Sequence, residues 1–215
     1  MTKASDSSET AGKLLAAGMK LFGERGFKAT TTRMIADQAN SNIGSIAYYF
    51  GNKRNLYRAI LTHISERMQD KFRLYDIERR DHTFRSPEQA RGSLKEIVRL
   101  LVRTFASEGE VGQWLLLVMR EQADPSDCYD LLYEGVFDRV YTILGVRIAY
   151  LMEKSVDDVD VVIECHTLIG QIVFFLVGRH PLLRRLKRES GFDERLLESV
   201  EQTVFSHLEH YRPPT

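Results

Sequence analysis

Apolar residues in this chain recur every three or four positions almost from end to end. Nowhere do they alternate with polar ones long enough to make a half-buried strand. Five prolines in 215 residues leave that periodicity little interrupted. An all-α fold is expected. Leu14, Leu15, Gly18, Leu21 and Phe22 share one side of a first helix, which Gly26 should end in a left-handed turn. Thr30-Thr31-Thr32 offers an N-cap for a short helix, Arg33 to Gln38. Asn40-Ser41-Asn42 reads as a tight turn, because Asn tolerates positive φ. A second short helix follows, about Ile43 to Tyr49, and Asn52 then caps a long helix from Lys53 towards Glu78.

Two short helices joined by a tight turn and braced by a preceding helix form a helix-turn-helix. The expected division is therefore residues 1–60 as a three-helix DNA-binding domain and 61–215 as a helical remainder. Long helices are expected there at Pro87–Ser107, Val111–Gln122, Ser126–Lys154, Asp157–Val177 and Asp193–Tyr211. Asp124-Pro125 reads as an N-cap followed by proline at the first helical position. The stretches Asp81–Pro87 and Arg179–Gly191 read as loops.

Formal net charge is zero, yet its distribution is uneven. Residues 1–60 carry nine basic and four acidic side chains, a net +5, so the remainder carries −5. One basic end on an acidic body suits a chain that meets phosphate at that end alone. Cys128 and Cys165 lie far apart and match no metal or redox spacing, so free thiols in a reducing cytoplasm are expected. The polar N-terminus holds no signal-peptide core, and the longest apolar run, Thr167 to Gly178, is too short to span a bilayer. No nucleophile elbow, phosphate-binding glycine loop or metal triad is present, so neither an enzyme nor a cofactor is expected. His207 and His210 stand three residues apart on a surface helix, at most an adventitious metal pair.

The stretch GFKATTTRMIADQANSNIGSIAYYFGNKRNLYRAI, Gly26 to Ile60, resembles the DNA-binding domain of the TetR family. The threonine-led helix, Gly44, the aromatic trio Tyr48-Tyr49-Phe50 and the Asn-Lys pair that opens the long helix carry the likeness. MREQADPSDCYDLLYE and HTLIGQIVFFLVGRHPLLRR further resemble the CecR-type subgroup of that family. The resemblance implies a TetR-like fold, with an N-terminal helix-turn-helix and a C-terminal ligand-binding and dimerisation domain. It also implies a dimeric repressor released from a palindromic operator by a small molecule. The alternative is a regulator without an inducer that acts through protein partners.

Read residue by residue, Gly44 lets backbone approach DNA, and Asn42 and Ser45 are short polar groups at the start of the reading helix. Tyr48 offers a ring to a thymine methyl and a hydroxyl to phosphate. Tyr49 can reach the backbone, Lys53 and Thr32 can contact phosphate, and Arg33 can take a guanine bidentately. Three positions depart from the family pattern. Ile43 stands where a polar or basic residue is common, Ala47 replaces a frequent tyrosine, and Asn40 takes the place of the turn glycine.

For the effector, Trp114, Met119 and Arg120 are candidates from one segment, with Arg120 as an anchor for an acidic or acceptor group on a mostly apolar molecule. Tyr133, Phe137, His166 and Phe174 are bulky candidates for the cavity wall. The helix Asp157–Val177 is apolar nearly all round from Thr167 onward, so it needs cover on two sides. Leu197, Val200, Val204 and Leu208 form a stripe on the last helix. Two such helices from each of two chains would make a four-helix dimer interface.

Overall fold

A computed structural model describes residues 2–74, 77, 83–106, 110–189 and 191–212; the side chains of 2–7, 110–113 and 176 are outside it. Every regular element among the described residues is helical. The order is α1 (Thr2–Ala29), α2 (Thr32–Gln38), α3 (Gly44–Phe50), α4 (Lys53–Lys71), α5 (Pro87–Ala106) and α6 (Glu110–Ala123). A single turn, α7 (Asp130–Leu132), then runs through a π-helical turn (Tyr133–Phe137) into α8 (Asp138–Met152). The chain ends with α9 (Val159–Val177), α10 (Arg179–Arg185) and α11 (Glu194–Leu208).

Two compact units emerge, and they do not follow chain order. The first holds residues 1–68 and 109–135; the second holds 69–108 and 136–215. The expected boundary at residue 60 lies inside α4, and α6 packs with the helix-turn-helix rather than with the C-terminal helices. In the first unit Leu14, Phe22, Ile35, Ile46, Leu56 and Ile60 form the core. Gly23 lets α1 and α6 touch backbone to backbone, since a Cβ there would stand 3.3 Å from Leu116 Cβ and 3.4 Å from the Leu117 amide nitrogen.

In the second unit α5 buries Ala90, Leu94, Ile97, Val98, Leu101 and Val102 along one face. Its polar edge carries Arg91, Lys95, Arg99 and Arg103 at four-residue spacing, and all four engage α11 or the residues just after it. Arg91 and Lys95 meet Glu209, at 3.5 and 2.9 Å, and Arg99 and Arg103 meet Glu201, at 3.2 and 2.7 Å. Arg103 also reaches Glu194 at 2.6 Å. Glu201 is 3% exposed, so its two guanidinium partners are what make its burial tolerable.

That ladder corrects the expected dimer stripe. Val200, Val204 and Leu208 are 4%, 1% and 0% exposed within the single chain, so this face of α11 packs on its own core. On α9, Val161, Cys165, Leu168 and Ile172 face inward while Val159, Val162, Ile163, Phe174 and Val177 stay exposed. One of its two apolar faces is therefore uncovered.

Other boundaries shift for local reasons. The first helix does not stop at Gly26 but breaks there (φ 79, ψ 167) and resumes to Ala29. Asp124-Pro125 starts no helix, because the Glu121 carboxylate takes both the Ser126 amide (3.3 Å) and its hydroxyl (2.9 Å), holding a turn until Asp130. The basic segment expected to be a loop forms α10, since Leu183 buries into the core. The long helix stops at Lys71, short of its expected end near Glu78, because Arg73 takes φ 52 and turns the chain.

Candidate nucleic-acid interface

The helix-turn-helix is set by capping groups that the sequence places in order. Thr30 is fully buried, and its hydroxyl donates to the carbonyls of Gly26 (2.8 Å) and Leu21 (3.1 Å), closing the end of α1. Thr31, rather than its neighbours, is the N-cap of α2, accepting from the Met34 amide at 3.2 Å. Asn40 takes φ 49, as the turn requires. Asn42 Oδ1 accepts the Gly44 amide at 2.8 Å, and the Ser41 and Ser45 hydroxyls pair at 3.0 Å. Gly51 (φ 80) ends α3, and Asn52 Oδ1 accepts the Asn55 amide at 2.8 Å to start α4.

The expected contact residues then fall into two groups. Arg33, Asn42, Gly44 and Tyr48 are exposed, Tyr48 at 80%. Thr32, Ser45, Tyr49 and Lys53 are half-buried. Tyr48 and Tyr49 meet edge to face at 4.8 Å, so each ring limits the other's motion. Lys53 lies over the Phe27 ring at 4.3 Å and donates to the carbonyls of Phe27 and Thr30, both at 2.9 Å. Two of its three N–H groups therefore clamp α4 to the end of α1, leaving one for a phosphate.

Residues 14–60 match the family of bacterial regulatory proteins named for TetR. Residues 90–210 match the C-terminal domain of the HTH-type transcriptional dual regulator CecR. The HTH-type transcriptional dual regulator CecR of Shigella flexneri is 32% identical over 201 residues, 92% of this chain and 88% of that protein.

The chain belongs to the TetR family.

Solved TetR-like structures share its fold. AibR, in a complex with isovaleryl coenzyme A and operator DNA, matches with a TM-score of 0.65 at 11% identity, covering 92% of this chain and 97% of that one. The fatty acid degradation regulator FadR from Bacillus halodurans matches with a TM-score of 0.60 at 16% identity, over 92% and 93%.

In this TetR-family regulator two residues of α6, Arg120 expected at an effector site and Glu121 without an expected role, brace the headpiece. Arg120 donates from Nε to the Gly23 carbonyl (3.2 Å) and from Nη2 to the Glu24 carbonyl (3.3 Å). Its neighbour Glu121 is 2% exposed and accepts the Tyr57 hydroxyl of α4. Burial, and then that carboxylate, push the Tyr57 phenol well above its ordinary range, so it stays a neutral donor. Phe22 and Phe27 pack edge-on against the Tyr57 ring at 4.9 and 5.0 Å. Arg54 pairs with Asp127 beside them. Only the adjacency of Arg120 and Glu121 hinted at this, because their partners lie 64 to 97 residues away.

The expected effector residues divide between the units. Trp114, Met119, Arg120 and Tyr133 belong to the first, while Phe137, His166 and Phe174 belong to the second. Trp114 is 1% exposed, and its indole N–H has no acceptor among the described residues. Met119 and Phe137 are half-buried. Tyr133 is 44% exposed and packs against Tyr129 at 6.0 Å. His166 is exposed and bonded to the Tyr141 hydroxyl. Phe174 is 69% exposed, and its neighbour Phe175 is the ring that turns inward. Phe175 lines an apolar void of about 10 Å³ together with Val102, Phe105, Ile172, Phe192 and Val200. No group of three or more His, Cys, Asp or Glu among the described residues could hold a metal ion. No single described helix is long and apolar enough to cross a membrane.

Proposed function

We propose that this regulator is a homodimeric repressor that binds a palindromic operator through α3 and leaves it when a mostly apolar small molecule binds. Residues 1–60 would read DNA, and the C-terminal helices would dimerise. The observation that carries the reading is the pre-formed headpiece. Its turns are capped, its core is closed, and Arg33, Asn42, Gly44 and Tyr48 stand exposed around one short helix. Thr32, Ser45, Tyr49 and Lys53 would complete the contact at the phosphate backbone.

The uncovered face of α9 supports the dimer. Five large apolar side chains are exposed there, and a Cβ at Gly170, among them, would meet nothing within 4 Å. A twofold dimer suits two operator half-sites about 34 Å apart. AibR, solved with both isovaleryl coenzyme A and operator DNA, supports a small-molecule effector. A second reading is a regulator without an inducer that acts through protein partners.

The test is selection of duplexes from a random-sequence pool by the full-length protein, followed by gel-shift titration and mass measurement of the complex. A palindrome bound by two chains is the expected result. Release by one member of a panel of small apolar molecules and acyl-coenzyme A thioesters, isovaleryl coenzyme A included, would separate the first reading from the second. Selection of no sequence above background would overturn operator binding.

A further inference from the structure

The outward surface of the reading helix carries almost no hydrogen-bonding side chains. At about 100° per residue, Ile43, Ala47, Gly44 and Tyr48 span roughly 140° of arc, and buried Ile46 lies outside it. All four are exposed, Ile43 at 49% and Tyr48 at 80%. No amide, carboxylate, ammonium or guanidinium stands among them. The polar side chains at the helix start are turned to local work: the Asn42 carboxamide oxygen holds the Gly44 amide, and the Ser45 hydroxyl is paired with Ser41. Arg33 is the exposed cation nearby, and it belongs to α2.

A helix with that face can tell base pairs apart in few ways. In the major groove every base edge offers donors or acceptors, and one base alone adds an apolar group, the C5-methyl of thymine. Ile43 and Ala47 are one turn apart on the same side and can close over such a methyl, removing both from water. We infer that Ile43, flanked by Ala47, is a specificity-determining residue that reads the C5-methyl of a pyrimidine in each operator half-site. The inference rests on the reading above that α3 enters the major groove.

Replacing thymine by uracil removes the methyl and leaves the pairing edge unchanged. The full-length protein would be titrated against its pool-selected duplex, with uracil placed at each thymine in turn. One thymine position per half-site should lose about four-fold in affinity on substitution, the value of one buried methyl, and both together about sixteen-fold. Uracil outside the half-sites should change nothing. Cytosine at that position should bind more weakly than 5-methylcytosine. Ile43→Ala, at an exposed position and checked for an unchanged thermal melt, should bind thymine and uracil duplexes alike. Selective binding with no uracil-sensitive position would overturn methyl readout while leaving operator binding intact. Undiminished thymine preference in Ile43→Ala would overturn the assignment to Ile43. Failure to select any sequence would overturn both readings together.

Discussion

Arg120 lies directly against Gly26: a methyl group added to that glycine would stand 3.3 Å from the guanidinium Nη1. Gly26 holds φ 79 and ψ 167, a conformation that side chains other than hydrogen rarely take. Gly26→Ala should therefore cost about 1–3 kcal/mol by chemical denaturation and weaken operator binding. Arg120→Ala should cost about 1 kcal/mol by loosening the Gly23 and Glu24 carbonyls, and should lower DNA affinity with no inducer present. An Arg120→Ala protein with full stability and affinity, yet blunted release by an inducer, would instead make Arg120 an effector anchor.

Lys53 provides a second check on what holds the headpiece. Its two carbonyl bonds predict that Lys53→Met lowers stability by about 1–2 kcal/mol. Operator and random duplexes should both weaken, and the slope of log affinity against log salt should flatten by nearly two per dimer as the contact of the third N–H is lost. A phosphate contact without the clamp would leave the melt unchanged, and a clamp without the phosphate contact would leave the slope unchanged.

Dimerisation separates α9 from α11. Phe174→Glu should yield monomers by light scattering with helicity intact, because the ring is exposed in the single chain. Gly170→Trp should act likewise, since the space beside it is open. Val204→Glu should instead unfold the second unit, by placing an unpaired charge where exposure is 1%. A folded, monomeric Val204→Glu protein would restore the α11 stripe as the interface.

Acid should weaken the α5–α11 ladder and the cap of α11. Arg103 holds Glu194, and Lys95 holds Glu209, below the ordinary carboxylate value near 4.5. The Leu196 amide, and then Arg188, hold Asp193 below its ordinary 3.8. Lowered folded values mean stability that is present above those ordinary values and lost as pH falls through the shifted ones. Thermal melts should thus show no loss from these groups down to about pH 5 and a decline below about 4. Glu194→Gln combined with Glu209→Gln should flatten that decline.

Much of the headpiece was legible because its devices are local. Thr31, Asn40, Asn42 and Asn52 each act within four residues of themselves, so their types and spacing reveal them. The C-terminal pattern was ambiguous because periodicity identifies an apolar face without naming its partner. Leu197, Val200, Val204 and Leu208 make the same stripe whether a second chain or α5 covers them. The basic residues of α5 decide between these, across about a hundred residues of chain. Phe174 and Phe175 show the same limit at one-residue scale, since a rotation of about 100° sends one ring outward and the other in. From sequence Arg120 looks like a ligand anchor, because the carbonyls it takes lie far earlier in the chain.

The four-residue spacing of Arg91, Lys95, Arg99 and Arg103 also bears on how this protein can tolerate changes in length. Four residues advance about 40° beyond a full turn, so the row winds around α5 instead of running straight up it. To meet Glu209, Glu201 and Glu194 in sequence, α11 must cross α5 obliquely. One residue inserted into α5 between Lys95 and Arg99 would swing half the cations about 100° away from their carboxylates and leave Glu201 buried without charge. Homologues that keep this ladder should place their insertions and deletions in the connecting segments and keep the length of α5 unchanged.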